Sequence, residues 1–471
     1  MRPRPLTFVT EACQAKALNG SLQATVERVC TDSRQVQRGD LFFALRGDRF
    51  DGHAFLREVA AKGAAAAVSE QPSAEPSLAN WPILQVDDTR KALARLAAAE
   101  RNTFEYPVVA VCGSNGKTTT KDLVASVLKQ KVPTLWSEAS FNNDVGVPLT
   151  LLRLTSGHRA AVLEAGTNHP GELAPLLRLI APGYGVLTNI GREHLEFFGD
   201  LAGVAREEGW LAEVLPPDGR LFVNGDSQWT PDIVKRARAP VIRVGCSDLN
   251  DWRVRSCRVE REGLAFVLDA PHQAFGGEYR LRLIGAHQAV NAAFAVAVGA
   301  ELGLSRDQIE AGLAQCPPAR RRMEMWEVGG VRVLDDVYNA NTDSMLAALR
   351  TLQELPGKGR RIAVLGDMAE LGEHSEVAHE EVGRRAAELG VNQLFAVGKM
   401  ASVMARGARG AGLHRVFEFA EVEPAASAVK SFLKSGDLVL LKASRATRLE
   451  RVGECLRGGG QGSGRNPERD R

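Results

Sequence analysis

The segment at residues 108–120 constrains this chain more than any other part of it. Apolar residues 108–112 lead into Gly113-Ser-Asn-Gly-Lys-Thr118, and a helix-favouring segment follows at 121–130. A strand, a glycine-containing loop and a helix in this order form the phosphate-binding loop of many ATP-binding proteins. The common form of that loop has a glycine at position 111, where this chain has Val111. We predict a shortened phosphate-binding loop, and a simple glycine turn before a helix is the alternative.

Each residue type in this loop has a chemical reason to be there. Glycines let backbone N–H groups approach phosphate oxygens closely, and a lysine reaches the terminal phosphates. A threonine hydroxyl at the start of the helix can ligate Mg²⁺. The sequence therefore predicts that ATP is bound by Gly113, Ser114, Asn115, Gly116, Lys117, Thr118 and Thr119.

Charge and cysteine usage narrow the class of protein. The chain has 59 Lys and Arg residues against 57 Asp and Glu residues, a net charge of +2, which argues against a nucleic-acid-binding surface. Seven scattered cysteines without CxxC spacing indicate reduced thiols. The sequence begins without an apolar signal and has no apolar run of about 18 residues. We expect a cytoplasmic protein without membrane insertion.

The order of predicted elements indicates an α/β protein of three domains. We predict an N-terminal α/β domain at 1–105, a central domain at 106–316, a C-terminal Rossmann-like α/β domain at 317–457 and a disordered tail at 458–471. Strands alternate with helices in the central domain, which predicts a parallel sheet, and residues 252–284 predict an antiparallel appendage. Predicted helices include 55–66, 91–101 and 289–302, and the last of these is expected to close the central domain.

Two polar residues follow predicted strands of the central domain. Glu164 ends the strand at 160–165, and His194 follows the strand at 185–190. The carboxyl ends of parallel strands meet at one edge of a sheet, where the phosphate-binding loop must also lie. Both side chains therefore become candidate metal ligands, although an ordinary strand-end residue and a structural histidine are the alternatives.

With these motifs in this order, the chain resembles the Mur ligases, ATP-dependent amide-forming enzymes of peptidoglycan precursor synthesis that have folylpolyglutamate synthase as a relative. The resemblance spans about residues 25–455. It rests on the shortened phosphate-binding loop, on Glu164 and His194, and on further segments. These are Thr31-Asp-Ser-Arg34, Phe141-Asn-Asn-Asp-Val-Gly-Val-Pro-Leu149, Gly285-Ala-His-Gln-Ala-Val-Asn291, Asp335-Asp-Val-Tyr-Asn-Ala-Asn341 and Leu365-Gly-Asp-Met-Ala-Glu-Leu-Gly372.

The resemblance implies an activity and a set of small-molecule partners. A UDP-N-acetylmuramoyl-tripeptide carboxylate would be joined to the amine of D-alanyl-D-alanine through an acyl phosphate, while ATP becomes ADP and phosphate. The enzyme would act as a monomer with Mg²⁺.

The resemblance also assigns residues to roles. Lys117, Glu164 and His194 would be catalytic, with Thr118, Glu164 and His194 as Mg²⁺ ligands. Asn291, Arg322 and Asp336 would contact ATP. The other substrates would be bound by Ser33, Arg34, Phe141, Asn142, Asn143, Tyr338, Asn339 and Asn341.

Glu208 departs from the family pattern. Many Mur ligases have a lysine before the glycine equivalent to Gly209, and that lysine reacts with CO₂ to give a carbamate that helps to position the second Mg²⁺. This chain has Glu208 there. The resemblance therefore implies that the Glu208 carboxylate is a catalytic, metal-binding substitute that needs no CO₂; a solvated helix-face glutamate is the alternative.

Two other functions stay open from the sequence. The first is another Mur-type peptide ligase or a folylpolyglutamate ligase, against which the segment at 335–341 argues. The second is a nucleotide-dependent switch, which needs neither the first nor the third predicted domain. The third residue of the accepted peptide, diaminopimelate or lysine, is not readable from the sequence.

Overall fold

The computed structural model describes residues 1–47, 50–72 and 75–458. The N-terminal part of the chain combines a small sheet with helices. Within those ranges, a five-stranded sheet has the order β2-β7-β6-β5-β4, and β1 pairs with β3 beside it. The strands are β1 (Arg4–Pro5), β2 (Lys16–Ala17), β3 (Thr25–Val26), β4 (Val29–Cys30), β5 (Leu41–Phe43), β6 (Ala66–Ser69) and β7 (Ile83–Gln85); the helices are α1 (Leu6–Cys13), α2 (Leu56–Ala61) and α3 (Thr89–Arg101).

The central part is built on one long mixed sheet. In the described part of the chain it has nine strands in the order β16-β15-β14-β13-β12-β11-β8-β10-β9, and β9 to β13 run parallel to β8. The strands are β8 (Val108–Cys112), β9 (Thr134–Trp136), β10 (Ala160–Glu164), β11 (Tyr184–Leu187), β12 (Arg220–Asn224), β13 (Val241–Gly245), β14 (Trp252–Glu260), β15 (Gly263–Asp269) and β16 (Gly277–Leu281).

Helices cover both faces of this sheet, as a buried parallel sheet requires. They are α4 (Lys117–Leu128), α5 (Gly146–Leu151), α6 (Leu173–Ile180), α7 (Leu195–Phe198), α8 (Leu201–Glu208), α9 (Trp210–Val214), α10 (Thr230–Val234), α11 (Gln288–Glu301) and α12 (Arg306–Gln315). One face packs against α4, α11 and α12. The other packs against α5, α6 and α9 and shares its apolar core with α1 and α3, so the N-terminal and central parts are joined by a common core.

The C-terminal part is a second α/β unit. Among the described residues its sheet has six strands in the order β17-β18-β22-β19-β20-β21, parallel except for β17. The strands are β17 (Glu324–Val328), β18 (Val331–Asp336), β19 (Arg361–Gly366), β20 (Gln393–Val397), β21 (Val416–Phe419) and β22 (Leu438–Lys442). The helices are α13 (Thr342–Glu354), α14 (Ser375–Glu388), α15 (Ala401–Gly410), α16 (Val422–Phe432) and α17 (Glu450–Leu456).

The predicted α/β class, the parallel central sheet and its antiparallel appendage are confirmed, with two corrections. The appendage consists of β14, β15 and β16, and it continues the sheet because β14 pairs in parallel with β13. The helix predicted at 55–66 is shorter: α2 ends at Ala61, Gly63 adopts a left-handed φ of 88°, and Ala66 begins β6. The helix predicted at 289–302 does not close the unit, because α12 follows it. The domain boundaries stay predictions, and the predicted disordered tail lies outside the described residues beyond Gly458.

None of the helices in the described residues is both long and apolar enough to cross a bilayer. The seven cysteines all lie in described ranges, and each is a free thiol.

Candidate active site

The phosphate-binding loop connects the central strand β8 to α4. Gly113 and Gly116 both have left-handed φ values, 114° and 82°, which glycine adopts without the steric cost that other residues meet. A Cβ atom at Gly113 would lie 2.3 Å from Thr188 Oγ1, and one at Gly116 would lie 2.7 Å from Asn291 Oδ1. Both glycines are therefore required by the close approach of neighbouring segments, and the predicted loop conformation is present.

The segment after β11 lies alongside this loop. The Ser114 amide donates to Asn189 O over 3.0 Å, and the Asn115 amide donates to Asn189 Oδ1 over 2.7 Å. Gly191 N donates to Ser114 Oγ over 2.8 Å. Because these bonds hold residues 189–191 against the loop, Glu193 and His194 are brought to the phosphate-binding residues.

Lys117 lies at the first position of α4 within a cluster of charges. Its Nζ donates to Gly113 O over 2.5 Å and to Ser114 O over 3.2 Å, and it lies 3.2 Å from Glu193 Oε1. Burial lowers the pKa of this ammonium, but Glu193, Glu208 and Glu164 together raise the pKa above its usual value. Lys117 therefore stays charged, as a cation that neutralises phosphate must.

Glu164 ends β10 next to Thr118, as the sequence predicted. It is 1 % exposed. Thr118 Oγ1 donates to Glu164 Oε2 over 2.8 Å, and Asn142 Nδ2 donates to Glu164 Oε1 over 2.8 Å. A hydroxyl and a carboxylate in contact at the start of α4 are hard oxygen ligands suited to Mg²⁺.

His194 is held by the C-terminal unit. Its backbone is left-handed, with a φ of 52°, and Nδ1 is hydrogen-bonded to Glu370 Oε2. Nε2 lies 4.0 Å from Glu193 Oε2. A metal-binding histidine commonly uses its other ring nitrogen to contact a carboxylate, which fixes the ring orientation. The Glu370 contact therefore suits a role of His194 Nε2 as a metal ligand.

Glu208 ends α8 beneath the phosphate-binding loop. Its Oε2 accepts a hydrogen bond from Gly113 N over 2.8 Å, and the side chain is 1 % exposed. Burial raises the pKa of this carboxyl to about 8, while Lys117 and the Gly113 hydrogen bond oppose the rise. Glu208 is therefore a buried group at the loop, and the alternative of a solvated helix-face glutamate is wrong.

The C-terminal unit contributes residues to the same region. Arg322 NH2 donates to Ser140 Oγ over 3.0 Å, and its guanidinium lies 3.9 Å from the Tyr338 ring centre. Ser140 Oγ donates to Tyr338 Oη over 2.6 Å. Asn341 caps α13 and donates through Nδ2 to Asn115 Oδ1 over 2.9 Å. The segment at 335–341 therefore faces the phosphate-binding loop.

Asp336 ends β18 and pairs with a buried lysine. Lys442 Nζ donates to Asp336 Oδ2 over 2.5 Å and to Asn339 O over 3.1 Å. Asn291, on α11, donates to Gln288 Oε1 over 2.8 Å and lies beside Gly116. The Lys442 bond fixes the orientation of the Asp336 carboxylate.

His287 is the N-cap residue of α11 and interacts electrostatically with Asp336 and Lys442. This histidine gives a pH-dependent prediction. Burial lowers the pKa of the ring from 6.5 to about 4, with Lys442 adding to the effect and Asp336 opposing it. The unfolded chain therefore binds a proton that the folded chain does not, so stability is lost as pH falls from about 6.5 towards 4.

We expect His287→Gln to remove about 1–2 kcal/mol of this loss. Urea unfolding of the wild type and the variant at pH 7.5 and pH 4.5 measures the free energy of unfolding. From pH 7.5 to pH 4.5 this free energy should fall more in the wild type than in the variant. An equal loss in both proteins would contradict the assignment.

The remaining predicted substrate residues are spread over two parts of the chain. Ser33 is buried in a short 3₁₀ turn, and its carbonyl accepts from Lys62 Nζ over 2.8 Å. The Arg34 guanidinium is exposed and pairs with Asp32. Phe141 is 42 % exposed, whereas Asn143 Oδ1 accepts from Gly146 N over 2.8 Å at the start of α5. Ser33 and Arg34 thus lie in the N-terminal part of the chain, and Phe141 and Asn143 lie in the central part.

Several residues of this site were missed from the sequence. Glu193 adjoins His194 in the chain, and its buried pairing with Lys117 depends on the fold. Ser140 adjoins the quoted segment that begins at Phe141. Arg192 binds Asp343 and Glu381 of the C-terminal unit over 2.7 Å each. The only signal in the sequence was that each of them adjoins a predicted site residue, because their partners are distant in the chain: Glu193 is 76 residues from Lys117, and the partners of Ser140 and Arg192 are more than 150 residues away.

Family models match three successive parts of the chain. Residues 25–101 match the model described as "Mur ligase family, catalytic domain", residues 111–299 match "Mur ligase middle domain", and residues 321–445 match "Mur ligase, glutamate ligase domain".

Curated relatives are similar over nearly their whole length. An Escherichia coli (strain K12) protein named UDP-N-acetylmuramoyl-tripeptide–D-alanyl-D-alanine ligase is 37% identical, with 94% of this chain and 97% of that protein covered. A Bacillus subtilis (strain 168) protein of the same name is 33% identical, with 96% and 98% covered.

Solved structures agree with these relatives. A crystal structure of MurF from Acinetobacter baumannii has a TM-score of 0.87 at 32% identity, with 96% of this chain and 98% of that chain covered. MurF ligase from Thermotoga maritima in complex with ADP has a TM-score of 0.80 at 28% identity, with 92% and 97% covered. The chain therefore belongs to the Mur ligase family and is of the MurF type.

Proposed function

We propose that this protein is an ATP-dependent amide ligase of peptidoglycan precursor synthesis. It joins the terminal carboxylate of a UDP-N-acetylmuramoyl-tripeptide to the amine of D-alanyl-D-alanine, and ATP becomes ADP and phosphate. The observation that carries the proposal is the contact between Asn341 and Asn115, which sets the segment at 335–341 against the phosphate-binding loop. Two relatives whose similarity covers more than nine-tenths of this chain carry the name of this ligase.

The reaction must first make the carboxylate reactive. A carboxylate is a poor electrophile, so transfer of the γ-phosphoryl group to it gives an acyl phosphate, which the amine then attacks with loss of phosphate. The approach of a carboxylate to a triphosphate brings like charges together. Lys117 supplies positive charge at this point from the start of α4, where backbone N–H groups also favour an anion.

Mg²⁺ would supply further positive charge at the phosphates. Thr118 and Glu164 would hold one ion, because the hydroxyl and the carboxylate already lie 2.8 Å apart beside the loop. His194 and Glu208 would serve a second ion. Glu193 Oε2, 4.0 Å from His194 Nε2, adds a carboxylate on that side.

Three residues would complete the nucleotide site. Asn291 on α11 would contact the adenine, Asp336 the ribose and Arg322 the phosphates. Arg322 and Asp336 belong to the C-terminal unit, so the complete site needs that unit to lie against the central one. Such an arrangement also excludes water, which protects an acyl phosphate from hydrolysis.

The remaining substrates would be bound on either side of the nucleotide. Ser33 and Arg34 would bind the UDP pyrophosphate through a hydroxyl donor and a forked guanidinium. Phe141, Asn142 and Asn143 would contact the muramoyl-peptide, and Tyr338, Asn339 and Asn341 would shape the adenine and dipeptide region. We further propose a cytoplasmic monomer that takes small-molecule substrates.

Glu208 gives a prediction about CO₂. Its carboxylate would replace the carbamate of other family members, so activity should not respond to added bicarbonate. Glu208→Ala is expected to lower kcat by at least about tenfold, because the carboxyl group that would help to hold the second Mg²⁺ is lost. Glu208→Lys is expected to regain activity when bicarbonate is added. The rate of phosphate release is measured with and without bicarbonate for the wild type, Glu208→Ala and Glu208→Lys. A fully active Glu208→Ala variant would refute the proposed role of Glu208.

Phosphate release also tests the function itself. Purified protein with ATP and Mg²⁺ would receive UDP-N-acetylmuramoyl-tripeptide and D-alanyl-D-alanine, separately and together. We expect release that requires both, with a UDP-linked pentapeptide detected by mass. Release without either substrate would indicate a nucleotide hydrolase or switch. Either this result or the absence of release with both substrates would overturn the proposed reaction.

A further inference from the structure

A buried lysine follows the phosphate-binding loop by one turn of α4. Lys121 is 0 % exposed, although Lys117, on the same helix, already supplies the cation of the loop. Lys121 Nζ donates to Ser137 O over 2.7 Å and to Ala139 O over 2.9 Å, and it lies 2.9 Å from Asp122 Oδ1. An ammonium has three protons, so all of them have acceptors. A buried charge is costly unless it is fully paired, and these three oxygen atoms pair the buried Lys121 ammonium.

Asp122 lies on α4 beside Lys121, and the two carbonyls belong to the segment at residues 137–142, here called the 137–142 loop, between β9 and α5. Ala139 has a left-handed φ of 44°, which disfavours a residue with a Cβ atom. Strained backbone of this kind persists when surrounding contacts hold it. Lys121 binds the carbonyls of Ser137 and Ala139, so the ammonium holds the loop directly at the strained residue.

The 137–142 loop also holds the proposed metal ligand Glu164. Ser137 Oγ accepts from Glu164 N over 3.1 Å, and Asn142 Nδ2 donates to Glu164 Oε1 over 2.8 Å. Asn142 O accepts from Gly166 N over 3.0 Å. Both the backbone and the carboxylate at the end of β10 are therefore bound by this loop.

The loop also reaches the C-terminal unit. Ser140 lies between the two residues that bind Glu164, and its hydroxyl contacts both Tyr338 and Arg322. Arg322 is proposed to reach the ATP phosphates. The 137–142 loop thus contacts both the proposed metal ligand Glu164 and two residues of the C-terminal unit, Tyr338 and Arg322.

We propose that Lys121 is a positioning residue of the ligase reaction. It holds the 137–142 loop in the conformation that orients Glu164 and presents Ser140 to Tyr338 and Arg322. Lys121 acts through this loop and touches neither nucleotide nor substrate. The inference rests on the proposed function, because the reaction defines what Glu164 and Arg322 must be positioned to do.

Lys121→Met tests the inference, because methionine keeps an aliphatic side chain and removes the ammonium. We expect kcat to fall by about 10- to 100-fold and the Mg²⁺ concentration for half-maximal rate to rise several-fold. The KM for the UDP-substrate should rise as well, because Phe141 and Asn142 of the loop would contact the muramoyl-peptide. Hydrogen exchange of the Glu164 and Gly166 amides should become at least about tenfold faster without any substrate present.

Lys131→Met is the matched control. Lys131 also donates to two carbonyls, Leu302 O over 3.1 Å and Gly303 O over 2.7 Å, but it follows the C-terminal end of α4 and contacts residues after α11 instead of the 137–142 loop. This variant should keep the wild-type kcat and Mg²⁺ dependence. The double variant Lys121→Met/Ala139→Gly should recover at least about threefold in kcat over Lys121→Met, because glycine adopts the left-handed conformation without strain.

Each result decides the inference. Wild-type kcat, Mg²⁺ dependence and amide exchange in Lys121→Met would overturn it, as would a double variant no faster than the single one. If Lys121→Met does not fold, Lys121→Gln, whose amide still donates to one carbonyl, must show the same changes. If phosphate release by the wild-type protein did not require both substrates, the proposed function would be contradicted. Hydrogen exchange needs no substrate, so it tests the effect of Lys121 on the 137–142 loop independently of that function.

Discussion

Replacing Lys117 by methionine is expected to lower kcat/KM for ATP by about 1000-fold, which corresponds to about 4 kcal/mol of lost transition-state stabilisation. Lys117 begins α4, and its ammonium contacts the carbonyls of Gly113 and Ser114 within the loop. A phosphoryl transfer depends on cations that neutralise charge on the phosphates and on the attacking carboxylate. Methionine retains the aliphatic stem, so the charge is lost with little change in packing.

The fold should survive this change because the neighbouring carboxyls can take up protons. Burial raises the pKa of Glu193 and of Glu208, and the Lys117 charge opposes both rises. Without Lys117 both pKa values rise further, which favours the protonated, neutral carboxyls over buried anions that lack a cation. Thermal unfolding at pH 7 should therefore show one folded protein, with the loss confined to ATP binding and turnover.

Lys129→Met provides the control for Lys117→Met. Lys129 lies at the other end of α4, where its ammonium is 2.9 Å from the Trp136 ring centre, away from the loop. Phosphate release at saturating UDP-substrate and dipeptide compares the three proteins. The control should match the wild type within about twofold. A Lys117→Met protein within tenfold of the wild type would show that another group neutralises the phosphates.

The elements that the sequence predicted well are those whose cause is local. The β8 strand, its glycine loop and α4 depend on β-branched residues, on two left-handed glycines and on helix-forming residues within 20 positions. The strand end that carries Glu164 follows from a short apolar run. By contrast, β9 (Thr134–Trp136) has three residues, and β14 joins the parallel sheet through two residue pairs. Such short pairings are set by neighbouring strands and leave little periodicity in the sequence.

The partners within the site depend on distant parts of the chain. His194 was a candidate from its position after β11, but its contact with Glu370 crosses 176 residues. The Asn341–Asn115 contact crosses 226 residues. Local patterns identify which residues are polar and follow a strand, whereas the distance between two such residues is decided by how the central and C-terminal units pack. The role of Ser140 could not be inferred before that packing was known.

Glu164→Gln is expected to lower kcat by about 100-fold, about 3 kcal/mol, and to raise the Mg²⁺ concentration needed for half-maximal rate. Glutamine keeps the size of the side chain and can still accept from Thr118 Oγ1 through its one carbonyl oxygen. The amide NH₂ cannot accept from Asn142 Nδ2, which now contacts Glu164 Oε1, and it carries no negative charge for a cation. The variant should therefore fold and bind the UDP-substrate, but it should hold Mg²⁺ weakly at the phosphates.

The rate of phosphate release, measured over a range of Mg²⁺ concentrations, distinguishes a role of Glu164 as an Mg²⁺ ligand from a general loss of activity. Glu301→Gln is the matched control, since Glu301 ends α11 in an ion pair with Arg220 over 2.7 Å, away from the loop. The control should keep the wild-type Mg²⁺ dependence. If Glu164→Gln lost kcat at every Mg²⁺ concentration without a change in the half-maximal value, Glu164 would act on the loop through Thr118 rather than on the cation. The metal would then be held on the His194 and Glu193 side, where the Nε2 and Oε2 atoms are 4.0 Å apart.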